Sequence, residues 1–428
     1  MKKYLLFALA LIAAPAAAET VAITGGKVVI GDGSAPVEGG TVVLRDGKVV
    51  AAGSDVSIPA DARRVDATGR WVTPGIFAGF SRVGLSEIGA VSQTNDISGG
   101  SSAYNASIDV VPAINPKASA IAVNRTAGVT RAVVAPSTGR NIFAGFGAVI
   151  DLGQDYDAIT KARAFQFVEF GESGAAEAGG SRSALYAEFR SMLAEAARYA
   201  RGPVSYDSDI LTRSDARALQ DVINGRVRLV VHVERASDIL QLIKLGREYP
   251  RIKLVMVGVS EGWLVADKIA ASGIPVIASA LNDLPESFES IAATQSNIGR
   301  MKRAGVNIAI GMINDWDQTQ LRYSAQYAGN LVAIGKIPGA SGLSWDEAFA
   351  AITSGPAKTL GIDGRIGSLR PGRAGDVVIW DGDPLELSSA PVMVMIDGVQ
   401  QSLDNRQARL RERYRTPEED TLPKAYER

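Results

Sequence analysis

Ile366–Pro384 reads I-G-S-L-R-P-G-R-A-G-D-V-V-I-W-D-G-D-P, and this stretch carries the architecture of the chain. Gly375–Trp380 inside it is a β run of branched and aromatic residues, entered and left through glycine, proline and aspartate turns. Val392–Ile396 follows as a second β run and ends at the turn pair Asp397-Gly398. Upstream the pattern differs. Strand-like Arg226–His232, Ile252–Val257, Ile274–Ser279 and Val306–Gly311 alternate with helical patterns over Ala236–Arg247, Glu261–Ala271, Pro285–Arg303 and Gln318–Ala333. Such βα units predict parallel strands with helices outside them. Ser344-Trp345-Asp346-Glu347 is a capping box opening a further helix. Ala118–Ala127 is predicted to be a helix ended by Gly128 and followed by the strand Val129–Ala135, and Arg182–Ala200 a longer amphipathic helix. The first part of the chain is β again, from Val21 to Val72, with a hairpin turn at Asp46-Gly47. β segments at both ends therefore bracket a βα core. Gly99–Ser102 and Glu172–Ser183 are the candidate mobile loops.

Composition narrows the class. Of 428 residues, 46% are hydrophobic and 21% charged, which suits a large packed core and argues against disorder. A formal net charge of -1 gives no reason to expect a nucleic-acid or membrane-surface partner. Lys2 and Lys3 precede the apolar run Tyr4–Ala14 and the small residues Ala16-Ala17-Ala18, the pattern of a secretory signal peptide over residues 1–18. The run is too short for a membrane span, so a periplasmic protein with no membrane association after cleavage is expected. Without cysteine, neither a lipid anchor on cysteine nor a disulfide can form.

The quoted stretch and several others together resemble the amidohydrolase superfamily, in its imidazolonepropionase-like and prolidase-like branch. Val72-Thr73-Pro74-Gly75 matches the family's lead-in to strand one, and Gly128-Val129-Thr130 its second word. Val231-His232 with Ala236–Leu240, Glu261-Gly262-Trp263 with Val265-Ala266-Asp267, and the runs within Ile366–Pro384 complete the set. The resemblance implies a (β/α)8 TIM-like barrel over 76–361 beside a small β-sandwich made of 19–75 and 362–403, with a charged tail at 404–428. It implies hydrolysis of C–N bonds at the C-terminal ends of the barrel strands.

It also implies one or two divalent metals, held by a His-X-His on strand one, often a carboxylated lysine on strand four, histidines on strands five and six, and an aspartate on strand eight. Aligned on Pro74-Gly75, the two strand-one histidines fall on Phe80 and Arg82, and the aspartate before them on Ala78. His232, the only histidine of the chain, matches the strand-five ligand. The strand-six position falls at Val257 or Gly258, and the strand-eight aspartate near Ile313, with Asn314, Asp315 and Asp317 just beyond. No lysine is placed on strand four.

Zinc prefers nitrogen and sulfur donors, so no metal is assigned and no cofactor is expected. Bulk water has a pKa of about 15.7 and zinc-bound water about 7, a difference of roughly 12 kcal/mol toward hydroxide. One general base contributes about 10²–10⁴-fold, so His232 alone does not replace the metal for amide hydrolysis.

The candidate catalytic residues are His232 and Asp315; the candidate ligand-binding residues are Arg82, Glu261, Asp317 and Phe80. Arg82 places a fixed cation suited to an anionic ligand, or pairs internally with Asp315, Asp317 or Glu87. Phe80 fills space. His232 is an acid–base group or a hydrogen-bonded core histidine. Glu261 faces a ligand or stabilises a helix start. Asp315 and Asp317 belong to an all-oxygen cation site or to a solvated loop. Two functions remain open. One is a binding or partner subunit that takes a small, anionic molecule and assembles with itself or with an active relative. The other is a metal-free or atypical-metal hydrolase of small amides.

Overall fold

The computed structural model describes residues 19–415 except 281, 315 and 316. The signal-peptide reading over 1–18, and Asp315, therefore lie outside the described residues.

Two eight-stranded sheets organise the chain. The first begins with β1 (Thr20–Val28), β2 (Val37–Arg45), β3 (Lys48–Gly53), β4 (Arg63–Asp66) and β5 (Trp71–Pro74). Asp46 and Gly47 both have positive φ, 52° and 71°, the conformation a tight β2–β3 hairpin needs. The second sheet follows as β6 (Ile76–Ala78), β7 (Val129–Val134), β8 (Phe143–Asp151), β9 (Ile159–Glu169), β10 (Arg228–Val233), β11 (Lys253–Gly258), β12 (Val276–Ala278) and β13 (Ile308–Ile310). The chain then returns to the first sheet as β14 (Val377–Trp380), β15 (Pro391–Ile396) and β16 (Val399–Gln401). β14 pairs antiparallel with β5, so residues from both ends of the chain share one sheet.

The second sheet runs β6 to β13 in chain order, and its ends meet. The Gly79 amide donates to Ile310 carbonyl at 3.1 Å and the Met312 amide to Phe80 carbonyl at 2.9 Å, which closes a barrel. Its interior is packed by Phe77, Phe165, Phe167, Val133, Val230 and Val255, a filled core and not a pore. Outside lie Arg182–Arg201, Ala236–Glu248, Tyr323–Ile334 and other helices. From β9 onward the strands are parallel, as the βα alternation predicts.

Three departures are informative. β8 is antiparallel to both β7 and β9, with no helix on either side, so the alternation is interrupted early in the barrel. Leu152–Ala158 between β8 and β9 is seven residues with turn-forming Gly153, Asp155 and Asp157, and so short a link suits only an antiparallel neighbour. Of the helix expected over Pro285–Arg303, only Asn297–Arg303 forms; the first part is loop. The loop expected at Glu172–Ser183 instead contains the helix Glu172–Glu177, and Ser181 caps the next helix by accepting from the Ala184 amide.

The quoted stretch joins the two sheets. A Cβ on Gly375 would lie 2.9 Å from Gly398 amide nitrogen and 3.0 Å from Gly47 carbonyl oxygen, so the two Asp-Gly turns pack directly on this glycine. Next to it, Asp376 accepts from Arg131 Nε at 2.7 Å and Nη2 at 3.0 Å. Arg131 sits on β7 and also pairs with Asp397. The barrel's second strand is thus tied to both turns of the terminal sheet.

Candidate functional site

Alternation along β10 turns Val230 and His232 to the inside of the barrel, with His232 at the C-terminal end. β9 lies in register, Glu169 opposite His232. Two residues past His232 on the same face comes Glu234. The imidazole is held between them: Nδ1 contacts Glu169 Oε1, and Nε2 contacts Glu234 Oε1 at 2.9 Å. Ionised carboxylates only accept hydrogen bonds, so the ring donates from both nitrogens and is an imidazolium. Burial works against that charge, but Glu169 and then Glu234 outweigh it and hold the imidazole well above its ordinary pKa. A ring in this state has no nitrogen lone pair for a metal or for a substrate proton.

β11 makes room for the triad. Gly258 has φ +94°, and a Cβ there would lie 2.1 Å from Glu234 Oε1. The volume in which the resemblance expects a strand-six histidine is filled by the Glu234 carboxylate. Val259 follows with φ +61°, an uncommon conformation for a β-branched residue. It is held by its amide to Val233 carbonyl at 2.8 Å and by Asn297 Nδ2 to its own carbonyl at 2.9 Å. This strained bend aims the Ser260 amide at Glu234 Oε2, at 2.7 Å. Gly258→Ala is expected to displace Glu234 and cost about 1–3 kcal/mol, read as a shift in the urea midpoint with unchanged slope.

A cavity of about 540 Å³ opens above the triad. Phe80, Arg82 and Phe167 join the triad in lining it, and Phe80 packs on Phe167 with ring centroids 5.5 Å apart. Ser137, Ser260, Asn282 and Asn314 add neutral polar groups, and Glu286 and Glu289 add carboxylates. Burial pushes the Glu289 carboxyl above its ordinary pKa, although its Oε2 accepts from the Glu172 amide at 2.7 Å. The loop that failed to become helix supplies Glu286 and Glu289. Its polar residues are drawn to the cavity, so helical propensity there yields to tertiary placement.

Three of the residues singled out in the sequence therefore meet at the barrel mouth: Phe80, Arg82 and His232. Glu261 does not line it. Glu261 accepts from the Ala236 amide at 2.9 Å and the Ala292 amide at 3.1 Å, tying a helix start to the Glu286–Glu289 loop. Asp317 is neither at the mouth nor solvated. It is 0% exposed, accepts from Tyr327 hydroxyl at 2.9 Å and leaves Oδ1 without a partner. Glu169, Glu234 and Glu289 were not singled out in the sequence. For Glu234 a signal exists, its i+2 spacing from His232 on a strand.

Burial pushes Asp317 up to about 7 from an ordinary 3.8. The unfolded chain releases this proton first, so stability falls as pH rises from about 4 to about 7 and then levels. The full effect is about 4 kcal/mol at 1.36 kcal/mol per unit. Asp317→Asn mimics the protonated form. It is expected to be more stable than the parent by about 2–4 kcal/mol at pH 8 and to match it at pH 4, by urea unfolding at both.

Residues 290–400 match the model of the Amidohydrolase family. The chain is 47% identical over 60 residues to amidohydrolase tasK of Hapsidospora irregularis, covering 14% of this chain and 6% of that protein. It is 35% identical over 127 residues to imidazolonepropionase of Maricaulis maris (strain MCS10), covering 28% of this chain and 30% of that protein. The matched segments thus span less than a third of these two relatives. A solved amidohydrolase from Thermotoga maritima MSB8 superposes with a TM-score of 0.78 at 25% identity, over 89% of this chain and 99% of that one.

Proposed function

Because the chain belongs to the amidohydrolase superfamily, we propose that its barrel mouth takes small molecules of the C–N-bonded kind (amides, cyclic amides, dipeptide-like compounds) without the superfamily's metal centre. On this reading it is an exported binding protein, or the binding partner of an active relative, and works in the periplasm.

The observation that carries the reading is the His232 ring held between the Glu169 and Glu234 carboxylates, one on each nitrogen. A zinc of the family type does not fit these side chains. His232 offers no lone pair, Phe80 and Arg82 stand where two histidines are expected, and Glu234 fills the space above Gly258. Among the described residues, no group of three or more His, Asp or Glu is arranged to hold a metal ion. What remains is recognition. Arg82 supplies a planar cation for a carboxylate or a polarised carbonyl, and the hydroxyl and amide groups of Ser137, Ser260, Asn282 and Asn314 supply neutral hydrogen bonds. Phe80 and Phe167 provide an apolar floor, the mix expected of a small-molecule site. Export is supported by the sequence of residues 1–18.

One observation favours a second reading, metal-free hydrolysis. Glu289 lines the cavity with a carboxyl raised by burial, the direction of shift that a general acid requires. Such a group contributes about 10²–10⁴-fold, enough for an activated amide and short of what an ordinary one requires.

The test is metal analysis of the purified protein, followed by calorimetry and product analysis with N-acyl amino acids, cyclic amides and dipeptides. Binding without turnover, weakened at least about tenfold in Arg82→Met, is the expected result. Turnover abolished by Glu289→Gln in metal-free protein would establish the second reading. A stoichiometric transition metal with turnover would overturn both.

A further inference from the structure

We propose a second binding site, on the flank of the barrel and separate from its mouth, that takes a phosphate group, free or carried by a small ester, through Arg163 and Arg217. A cavity of about 730 Å³ lies between β9, the helices Arg182–Arg201 and Arg213–Ile223, and the segment around Ser107. None of its lining residues lines the mouth.

A distortion of β9 places the first cation. Against β8, Gly147 pairs with Phe165 and Val149 with Lys161, two positions along β8 for four along β9. The surplus bulges, and at its centre Arg163 has φ +46°, an uncommon conformation for a residue with a long side chain. Bulges re-aim side chains, and here the Arg163 guanidinium lies over the Phe146 ring, 3.8 Å from its centroid. Phe146 is 0% exposed, so the ring is a fixed platform. Stacking occupies one face of the guanidinium and leaves its N–H edge, which no carboxylate of a described residue pairs. Backbone held in this way concentrates at ligand sites.

The second cation comes from the helix Arg213–Ile223. Ser214, Arg217 and Asp221 lie on one face of that helix, and all three line the cavity. Asp221 is already engaged, its Oδ1 accepting from Arg226 Nε at 2.8 Å. Arg226 lines the cavity too, so that pair is neutral and the charges of Arg163 and Arg217 remain. Among the described residues no carboxylate pairs with Arg217. Asp215, 1% exposed, is satisfied by the Ser107 hydroxyl at 2.7 Å and by the amides of Asn105 and Ser107 at 3.0 and 2.8 Å. The Ser107 hydroxyl is thereby spent and donates nothing to an anion.

These groups fit phosphate better than carboxylate. A phosphomonoester carries a charge of about −1.5 to −2 at pH 7 and three terminal oxygens. Two guanidiniums neutralise that charge, and the hydroxyls of Tyr199 and Ser214, which have no partner among the described residues, supply further donors. A carboxylate, with one charge and two oxygens, leaves part of this set unused. Tyr199 packs edge-on against Tyr206 with ring centroids 5.3 Å apart, and Gln220 Nε2 donates to Ala196 carbonyl, which joins the two helices. The ordering needed on binding therefore falls mainly on Arg217. Arg163 and Arg217 are both exposed, so a molecule in the cavity reaches them. The proposed site does not depend on what the mouth binds.

The experiment is calorimetric titration of the full chain with inorganic phosphate, with phenyl phosphate and with succinate, a dianion without a phosphate group, at fixed ionic strength. Arg163→Gln, Arg163→Lys, Arg217→Gln, Tyr199→Phe and Arg82→Met are each checked for native circular dichroism. Saturable binding of phosphate or phenyl phosphate is expected, with succinate at least about tenfold weaker. Tighter binding of phenyl phosphate supports the proposal with an ester as ligand, and equal affinities support it with free phosphate. Arg163→Gln and Arg217→Gln should each weaken binding at least about tenfold, Arg163→Lys less, Tyr199→Phe by about three- to tenfold, and Arg82→Met not at all. Any of three results overturns the proposal: neither phosphate bound below about 10 mM, succinate bound as tightly as phosphate, or an affinity that responds to Arg82→Met and not to Arg163→Gln or Arg217→Gln. If Arg163→Gln does not fold, Arg217→Gln with Tyr199→Phe decides the question.

Discussion

Arg131→Met is expected to lower the unfolding free energy by about 3–5 kcal/mol, measured by urea denaturation at pH 7. Arg131 is 3% exposed. It donates to Asp376 at 2.7 and 3.0 Å and to Thr160 hydroxyl at 2.6 Å. It also pairs with Asp397 at 2.6 Å and lies 3.7 Å from Asp151. Methionine keeps the bulk and removes the charge, leaving three carboxylates around an apolar side chain. Burial already raises the Asp151 pKa, despite the Gly153 amide and the Arg131 cation. Asp397 is half exposed and can turn to water, so the cost falls mainly on Asp376 and Asp151. The deficit should shrink at pH 4, where Asp151, its carboxyl raised by burial, can take up a proton. A loss under about 1 kcal/mol at pH 7 would mean that the cluster aligns the two sheets without stabilising them.

His232→Ala should cost about 3–5 kcal/mol at pH 8, because it leaves Glu169 and Glu234 facing a gap with no cation between them. The sign with pH follows from the raised imidazole pKa. Stability from a group whose pKa rises on folding is fully present below its unfolded value of about 6.5, and is lost only as pH climbs through the higher folded value. The parent therefore keeps this contribution through neutral pH. The variant lacks this contribution, so its deficit should be at least as large at pH 5 as at pH 8. Urea curves at the two pH values check this. A deficit that shrinks on acidification would show that the ring is neutral in the native state, and the triad would then be a base and not a fixed cation.

Much of the mouth was readable before any fold was in view. That Phe80 and Arg82 occupy the positions where the resemblance expects two strand-one histidines followed from the register of Pro74-Gly75, and the structure puts both side chains at the cavity. The partners of His232 were harder. Glu234 is a strand neighbour, but Glu169 lies 63 positions away, and only the β9–β10 register brings the two together. Asp317 shows the opposite failure. Its neighbours in sequence are polar, which suggests water; the packing around Tyr327 encloses it instead. Local sequence reports what a residue prefers, and burial is decided by elements that pass over it.

The sequence by itself determined the class of this protein: β segments at both ends, βα units between them, and a barrel entry without its histidines. Periodicity and turn chemistry are local, so they can be read residue by residue. Only the tertiary structure decided that β8 runs against its neighbours, that Pro285–Ser296 is loop and not helix, and that the lone histidine is an imidazolium between two carboxylates. Strand direction depends on which edge is left to pair. The charge of a buried ring depends on the groups that face it across the barrel, and none of these is written in its own segment of chain.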